Sequence, residues 1–292
     1  MLLGSVIGLA SAFVWATTSL AMKTHSERLD ALSVNTFRMV VASIAFLLLL
    51  PLFGGLDAHA QMSNASRLAL AVSFICGVAV GDTLYFWSMT KIGAARALPL
   101  SSIYPLFTWA IAVPFLNETV TWQALGGTAL VLIGVYLLTP RAHETSHIDP
   151  RTKRIGTIAA LTAALLWAIS TTLLKVGMED GVNVIVINSF RMPVGAVIML
   201  AMLYWREGRN PWRGYNRHNI PMLIAVAIYS TVIGMTLWTL TVDYAGATRA
   251  SLLVTVAPLI GVPLSVLFLK ERITRAIALG TIISVAGIWL IL

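Results

Sequence analysis

Two stretches of this chain repeat each other about 153 residues apart, and that repeat limits the fold more than any other feature. Asn35-Thr36-Phe37-Arg38-Met39 returns as Asn188-Ser189-Phe190-Arg191-Met192, and Gly93-Ala94-Ala95-Arg96-Ala97 returns as Gly246-Ala247-Thr248-Arg249-Ala250. Phe115-Leu116-x-Glu118-x-Val120-Thr121 returns as Phe268-Leu269-x-Glu271-x-Ile273-Thr274, and Trp15-Ala16 returns as Trp167-Ala168. A duplicated chain needs an architecture in which two copies of one unit share a core.

Composition selects the solvent for that architecture. With 58% hydrophobic and 11% charged residues, 292 residues cannot cover a water-facing surface. A spanning helix takes roughly 20 apolar residues. Apolar spans are expected at 2–22, 32–52, 67–90, 97–116, 122–139, 155–176, 184–204, 219–242, 250–269 and 275–291. The first unit is 1–139, the polar segment 140–154 is a linker, and the second unit is 155–292. Cys76 is the single cysteine, which excludes an internal disulfide. The basic residues lie mostly in loops between spans, where they set membrane orientation rather than bind nucleic acid.

Five spans per unit is an odd number, so the second unit must enter the membrane inverted. Loop charge agrees with this. The loop after span 2 has no Lys or Arg between Phe53 and Ser66, whereas its counterpart carries Arg206, Arg209, Arg213 and Arg217. The loop after span 4 has none, whereas its counterpart carries Lys270, Arg272 and Arg275. Fifteen basic residues fall on one face and three on the other. The positive-inside rule then puts both termini on the extracytoplasmic side.

The ten spans, the inverted repeat and the motifs above resemble the drug/metabolite transporter superfamily, EamA-type, over essentially the whole chain. The resemblance rests on the Trp15 and Trp167 helix openings, the Gly-Ala-x-Arg-Ala turns and the two Phe-Leu-x-Glu links. It implies an all-α integral membrane protein, with ten transmembrane helices as two inverted five-helix repeats around a central cavity. It also implies a multi-pass protein of the bacterial inner (plasma) membrane, with YddG-like exporters of aromatic amino acids as its nearest branch. The family is usually described with both termini in the cytoplasm, which the charge count reverses.

A transporter needs polar or aromatic groups inside an apolar body. Gly81, Tyr85 and Ser88 share one face of span 3, and Gly234, Trp238 and Thr241 share the matching face of span 8. Trp15 with Thr18, and Trp167 with Thr171, offer a ring and a hydroxyl deep in spans 1 and 6. Helix packing is the bland alternative for these small and hydroxyl residues. Asp82 is an acid well inside a span, costly there and suited to a substrate ammonium or a coupling proton. Its repeat counterpart is Met235, so the symmetry breaks at this point. Ser101 and Tyr104 precede Pro105, and Ser251 and Thr255 precede Pro258, where broken helices line cavities. Arg38 and Arg191 occupy matched positions, expected to snorkel or to pair with a loop carbonyl, with a substrate carboxylate as the alternative. Glu118 and Glu271 are expected to cap the helix that follows them.

Enzyme chemistry finds little in the sequence. No paired acids, HExxH or P-loop spacing occurs, so neither a cofactor nor ATP is expected. The expected activity is export of small metabolites, amino acids including aromatic and apolar ones, by alternating access, with a proton as a candidate coupling ion. Rivals on the same fold are sugar-phosphate, nucleotide-sugar and drug carriers. A membrane-embedded transferase is the rival from another class.

Overall fold

The computed structural model describes residues 2–25, 31–119, 121–138, 149–208, 212, 214–257, 259–260 and 275–291. Among them the longer α-helices, apart from a short one at Gly55–Ala60, are α1 (Leu2–His25), α2 (Ala31–Leu49), α3 (Asn64–Phe74), α4 (Thr83–Ile92), α5 (Ala94–Ser101), α6 (Tyr104–Leu116) and α7 (Trp122–Leu138). The second half supplies α8 (Pro150–Val176), α9 (Val184–Glu207), α10 (Ile220–Ala227), α11 (Gly234–Val254) and α12 (Arg275–Ile291). No strand occurs among the described residues. In a bilayer the backbone must satisfy itself, and a helix does so within one segment.

Six helical spans among the described residues are long and apolar enough to cross a membrane, and three shorter apolar helices accompany them. The chain is thus an all-helical integral membrane protein. The expected ninth span, 250–269, begins just after the break at Gly246; its residues 261–269 lie outside the described residues, as do Pro258, Glu271 and linker residues 140–148. Trp122, Trp205 and Trp289 are 87%, 90% and 78% exposed and sit at helix ends, the position of interfacial anchors.

The halves are interleaved rather than placed side by side. α1 packs on α11, α2 on α9, α4 on α8 and α7 on α12, so each main pairing joins one half to the other. Close approach in the α7–α12 pair depends on glycine. A Cβ at Gly134 would lie 2.6 Å from the carbonyl of Gly280, and one at Gly287 would lie 2.5 Å from that of Gly127. These are repeat counterparts, so one contact occurs twice about the pseudo-two-fold axis. Small residues allow such backbone approach where lipid supplies no hydrophobic drive for association.

Spans 3 and 8 share a second feature. α3 and α4 are joined by a π-helical segment, Ile75–Asp82, and α10 and α11 by another, Ile228–Ile233. The two segments start at equivalent positions of the repeat. The wider turn is rare and occurs often at functional sites.

Candidate functional site

Each half seats a tryptophan from the other, at Gly81 inside the first π-helical segment and at Gly234 directly after the second. A Cβ at Gly81 would lie 3.1 Å from Nε1 of Trp167, and a Cβ at Gly234 would lie 3.1 Å from Nε1 of Trp15. Glycine at 81 and 234 lets each indole sit this close, since a Cβ at either place would press on it. One helical turn further on, each indole meets the next aromatic. Trp167 lies 5.2 Å from Tyr85 between ring centroids, and Trp15 lies 5.5 Å from Trp238. Tyr85 and Trp238 are repeat counterparts, so the structure builds one aromatic crossing twice. Tilted rings at these separations suit the aromatic quadrupole.

Chemistry separates the two crossings. At the first, Nε1 of Trp167 donates to Oδ1 of Asp82 at 2.8 Å. Arg38 lies within electrostatic reach of that carboxylate, and its Nε donates to Oγ of Ser230 at 3.1 Å. Tyr104 packs edge-on against Trp167 at 6.0 Å, and its hydroxyl donates to the carbonyl of Ser251 at 2.8 Å. Asp82, Arg38, Tyr85, Tyr104 and Trp167 thus assemble around one point, joining spans 2, 3, 4 and 6. At the second crossing the position of Asp82 is held by Met235, packed against the apolar core.

The hydroxyls behave differently from the rings. Thr18 donates to the carbonyl of Val14, Thr171 to Trp167, Thr241 to Leu237 and Ser88 to Tyr85, all at 2.7–2.9 Å. Ser101 donates to Leu98, Ser251 to Thr248 and Thr255 to Ser251. All seven side chains are buried. Their protons are taken by their own helices, so each offers a ligand only oxygen lone pairs.

Three charged groups depart from the sequence expectation. Arg38 bonds the side chain of Ser230 inside span 8 rather than snorkelling or meeting a loop carbonyl. Arg191 neither snorkels nor finds a loop carbonyl. It is 2% exposed, its guanidinium sits 5.6 Å from the ring of Phe74, and Nε and Nη1 have no hydrogen-bond partner among the described residues. Glu118 does not cap the helix that follows it. Thr121 does that, with Oγ1 accepting from the amide of Ala124. Glu118 crosses to the other half, where its two carboxylate oxygens accept from the amides of Ala247 and Thr248 at 2.7 and 2.8 Å. The cause is Gly246, whose φ of +80° breaks the helix and turns two unpaired amides toward the carboxylate.

The span-4 break lies at Ser102–Ile103 and has its counterpart at Thr255–Val256. Pro105 lies in the first turn of α6, where it needs no amide proton. A separate cleft of about 360 Å³ lies away from the crossings, lined by Phe115, Glu118, Lys175, Met178 and Glu179 at the ends of α6 and α8. Lys175 closes one side of this region by donating to the carbonyl of Asp243 at 2.9 Å. No group of metal-binding residues occurs among the described residues.

The model of the EamA-like transporter family matches this chain twice, over residues 2–139 and 154–292. An uncharacterized transporter of Archaeoglobus fulgidus is 24% identical over 292 residues, covering 98% of this chain and 97% of the relative. The uncharacterized transporter YoaV of Bacillus subtilis is 22% identical and covers 98% and 95%. The S-adenosylmethionine/S-adenosylhomocysteine transporter of Chlamydia trachomatis is 25% identical over 230 residues, covering 76% of this chain and 67% of that one. A solved crystal structure superposes with a TM-score of 0.82 at 16% identity, over 98% of this chain and 95% of the other.

Proposed function

Because this chain belongs to the EamA-like transporter family, matched in both of its halves, we propose that it exports small zwitterionic metabolites, with aromatic and apolar amino acids as the first class. The observation that carries this reading is the first aromatic crossing. It places a carboxylate, a guanidinium and three rings around one point, the groups an amino acid needs. Asp82 meets the ammonium, Arg38 meets the carboxylate, and Trp167 with Tyr85 and Tyr104 takes the side chain. The second crossing, Trp15 with Trp238, extends the apolar surface without a charge.

Transport proceeds by alternating access, with one half rocking against the other across the interleaved pairs. Substrate leaving the site toward the face with few basic residues passes the cleft beside Glu118 and Lys175. That face is extracytoplasmic by the charge bias, with both termini on it, and the chain sits in a cell's plasma membrane. Asp82 also serves as the carrier of a coupling proton, released when the ammonium displaces it. The relationship to the S-adenosylmethionine transporter supports the same chemistry, because that solute is itself an amino acid bearing an aromatic base.

The test is uptake of labelled phenylalanine by proteoliposomes, with unlabelled amino acids, S-adenosylmethionine and a sugar phosphate as competitors, with and without a pH gradient. Saturable uptake suppressed by apolar amino acids supports the reading. Uptake suppressed only by the sugar phosphate, or none from folded protein, overturns it.

A further inference from the structure

The two matched arginines are treated unequally. Arg38 has the carboxylate of Asp82 within reach and the hydroxyl of Ser230 at 3.1 Å. For Arg191, the repeat counterpart of Asp82 is Met235, which brings no charge. The acid that balances the arginine in the first half is therefore missing from the second. Arg191 is nonetheless almost fully buried, and no acidic side chain among the described residues pairs with it. An uncompensated guanidinium in such a place is strongly destabilising, which is why buried charges are paired or carry an ion.

Its surroundings are arranged for an acceptor. The ring of Phe74 covers one face of the guanidinium, and that ring has room because residue 195 is glycine, where a Cβ would collide with it. A cation–π contact uses the face of the guanidinium and leaves the in-plane N–H groups free. Nε and Nη1 remain without partners among the described residues. One turn back on the same helix, Asn188 is fully buried and also presents an unpartnered donor, Nδ2. Oγ1 of Thr239 lies 3.2 Å from this amide and gives its own proton to the carbonyl of Met235 at 2.8 Å, so whichever way the amide is turned at least one of its two N–H groups stays free. The unmet hydrogen-bonding capacity of this pair consists of donors.

We propose that Arg191 and Asn188 form a buried anion site between α9, α3 and α11. It takes one small monovalent anion, a free halide or a carboxylate group, in place of the acid that Met235 fails to supply. The site is distinct from the aromatic crossing and stands whether or not amino acids are the cargo.

The test uses the full-length purified protein in detergent at constant ionic strength, with a bulky organic sulfonate as the replaced anion. Chloride and acetate are titrated separately and the melting temperature is followed. In the wild type the melting temperature rises saturably with at least one of the two anions. A response to chloride alone assigns a free ion, and a response to acetate assigns a carboxylate group. Arg191→Met removes the response. Met235→Asp restores the arrangement of the first half and also removes it, because the counter-charge is then built in. A wild-type melting temperature indifferent to both anions overturns the proposal, and this arm needs no variant to fold. An undiminished response in both variants overturns it as well.

Discussion

Trp167 over Gly81 and Trp15 over Gly234 are the same contact made twice, yet one carries a carboxylate and the other does not. In both, a π-helical span yields its backbone to an indole from the opposite half, and an aromatic one turn on completes the pair. At the first the indole N–H is bound to Asp82. At the second, residue 235 is methionine and belongs to the core. The duplication thus builds a symmetric frame, and a single substitution within it creates polarity. An asymmetric solute such as an amino acid needs that polarity to bind in one orientation. A frame with two equal sites gives no such preference.

The largest expected difference between the crossings comes from their indoles. Trp167→Phe keeps a ring but leaves the carboxylate of Asp82 short of a charge-assisted bond worth ~1.5–3 kcal/mol, so uptake falls roughly ten- to hundredfold. Trp15→Phe, with no carboxylate at 235, changes uptake by less than about threefold. Equal losses in the two would erase the distinction.

The seats come next. An added methyl at Gly81 meets the carbonyl of Cys76 at 2.8 Å as well as the indole, whereas at Gly234 the nearest atoms are side chains at 3.1 Å. Overpacking costs ~1–3 kcal/mol, and a backbone neighbour yields less than a side chain. Gly81→Ala should therefore lower the melting temperature more than Gly234→Ala, and the reverse order would show that the first seat is the softer one.

A smaller effect is expected from Glu118→Gln, which weakens a two-point cap on the amides of Ala247 and Thr248. Caps contribute ~0.5–2 kcal/mol, so the melting temperature drops modestly while the aromatic crossings are left intact. Smallest is Lys175→Met. The Lys175–Asp243 pair at 3.9 Å is partly exposed and worth less than ~1 kcal/mol, and a melting shift comparable to that of Gly81→Ala would contradict this ranking.

Much of the frame was legible in the sequence because it is written there twice. The offset of Asn35 from Asn188, together with loops of opposite charge, is enough to derive inverted halves. Tyr85 and Trp238 could be matched by position, and Asp82 stood out as an acid in an apolar span. Four things were not legible. The π-helical turns depend on how spans 3 and 8 meet the indoles, and no local residue pattern marks an i→i+5 bond. The partner of Glu118 lies more than a hundred residues away, across a helix break that Gly246 permits but does not announce. The fates of Arg38 and Arg191 diverge although their flanking motifs are nearly the same, because their environments are set by positions 82 and 235 on other helices. For a similar reason the hydroxyls of Ser88 and Thr241 were legible as residues of one face, but not as donors already taken by their own helices.

The most direct test of the account is labelled phenylalanine uptake by proteoliposomes carrying Asp82→Asn beside Met235→Leu, each verified as folded by its melting curve. Asp82→Asn is expected to lose most of the saturable uptake while Met235→Leu retains it. Unchanged uptake in Asp82→Asn, or equal losses in the two, would contradict the claim that transport is organised at the first crossing.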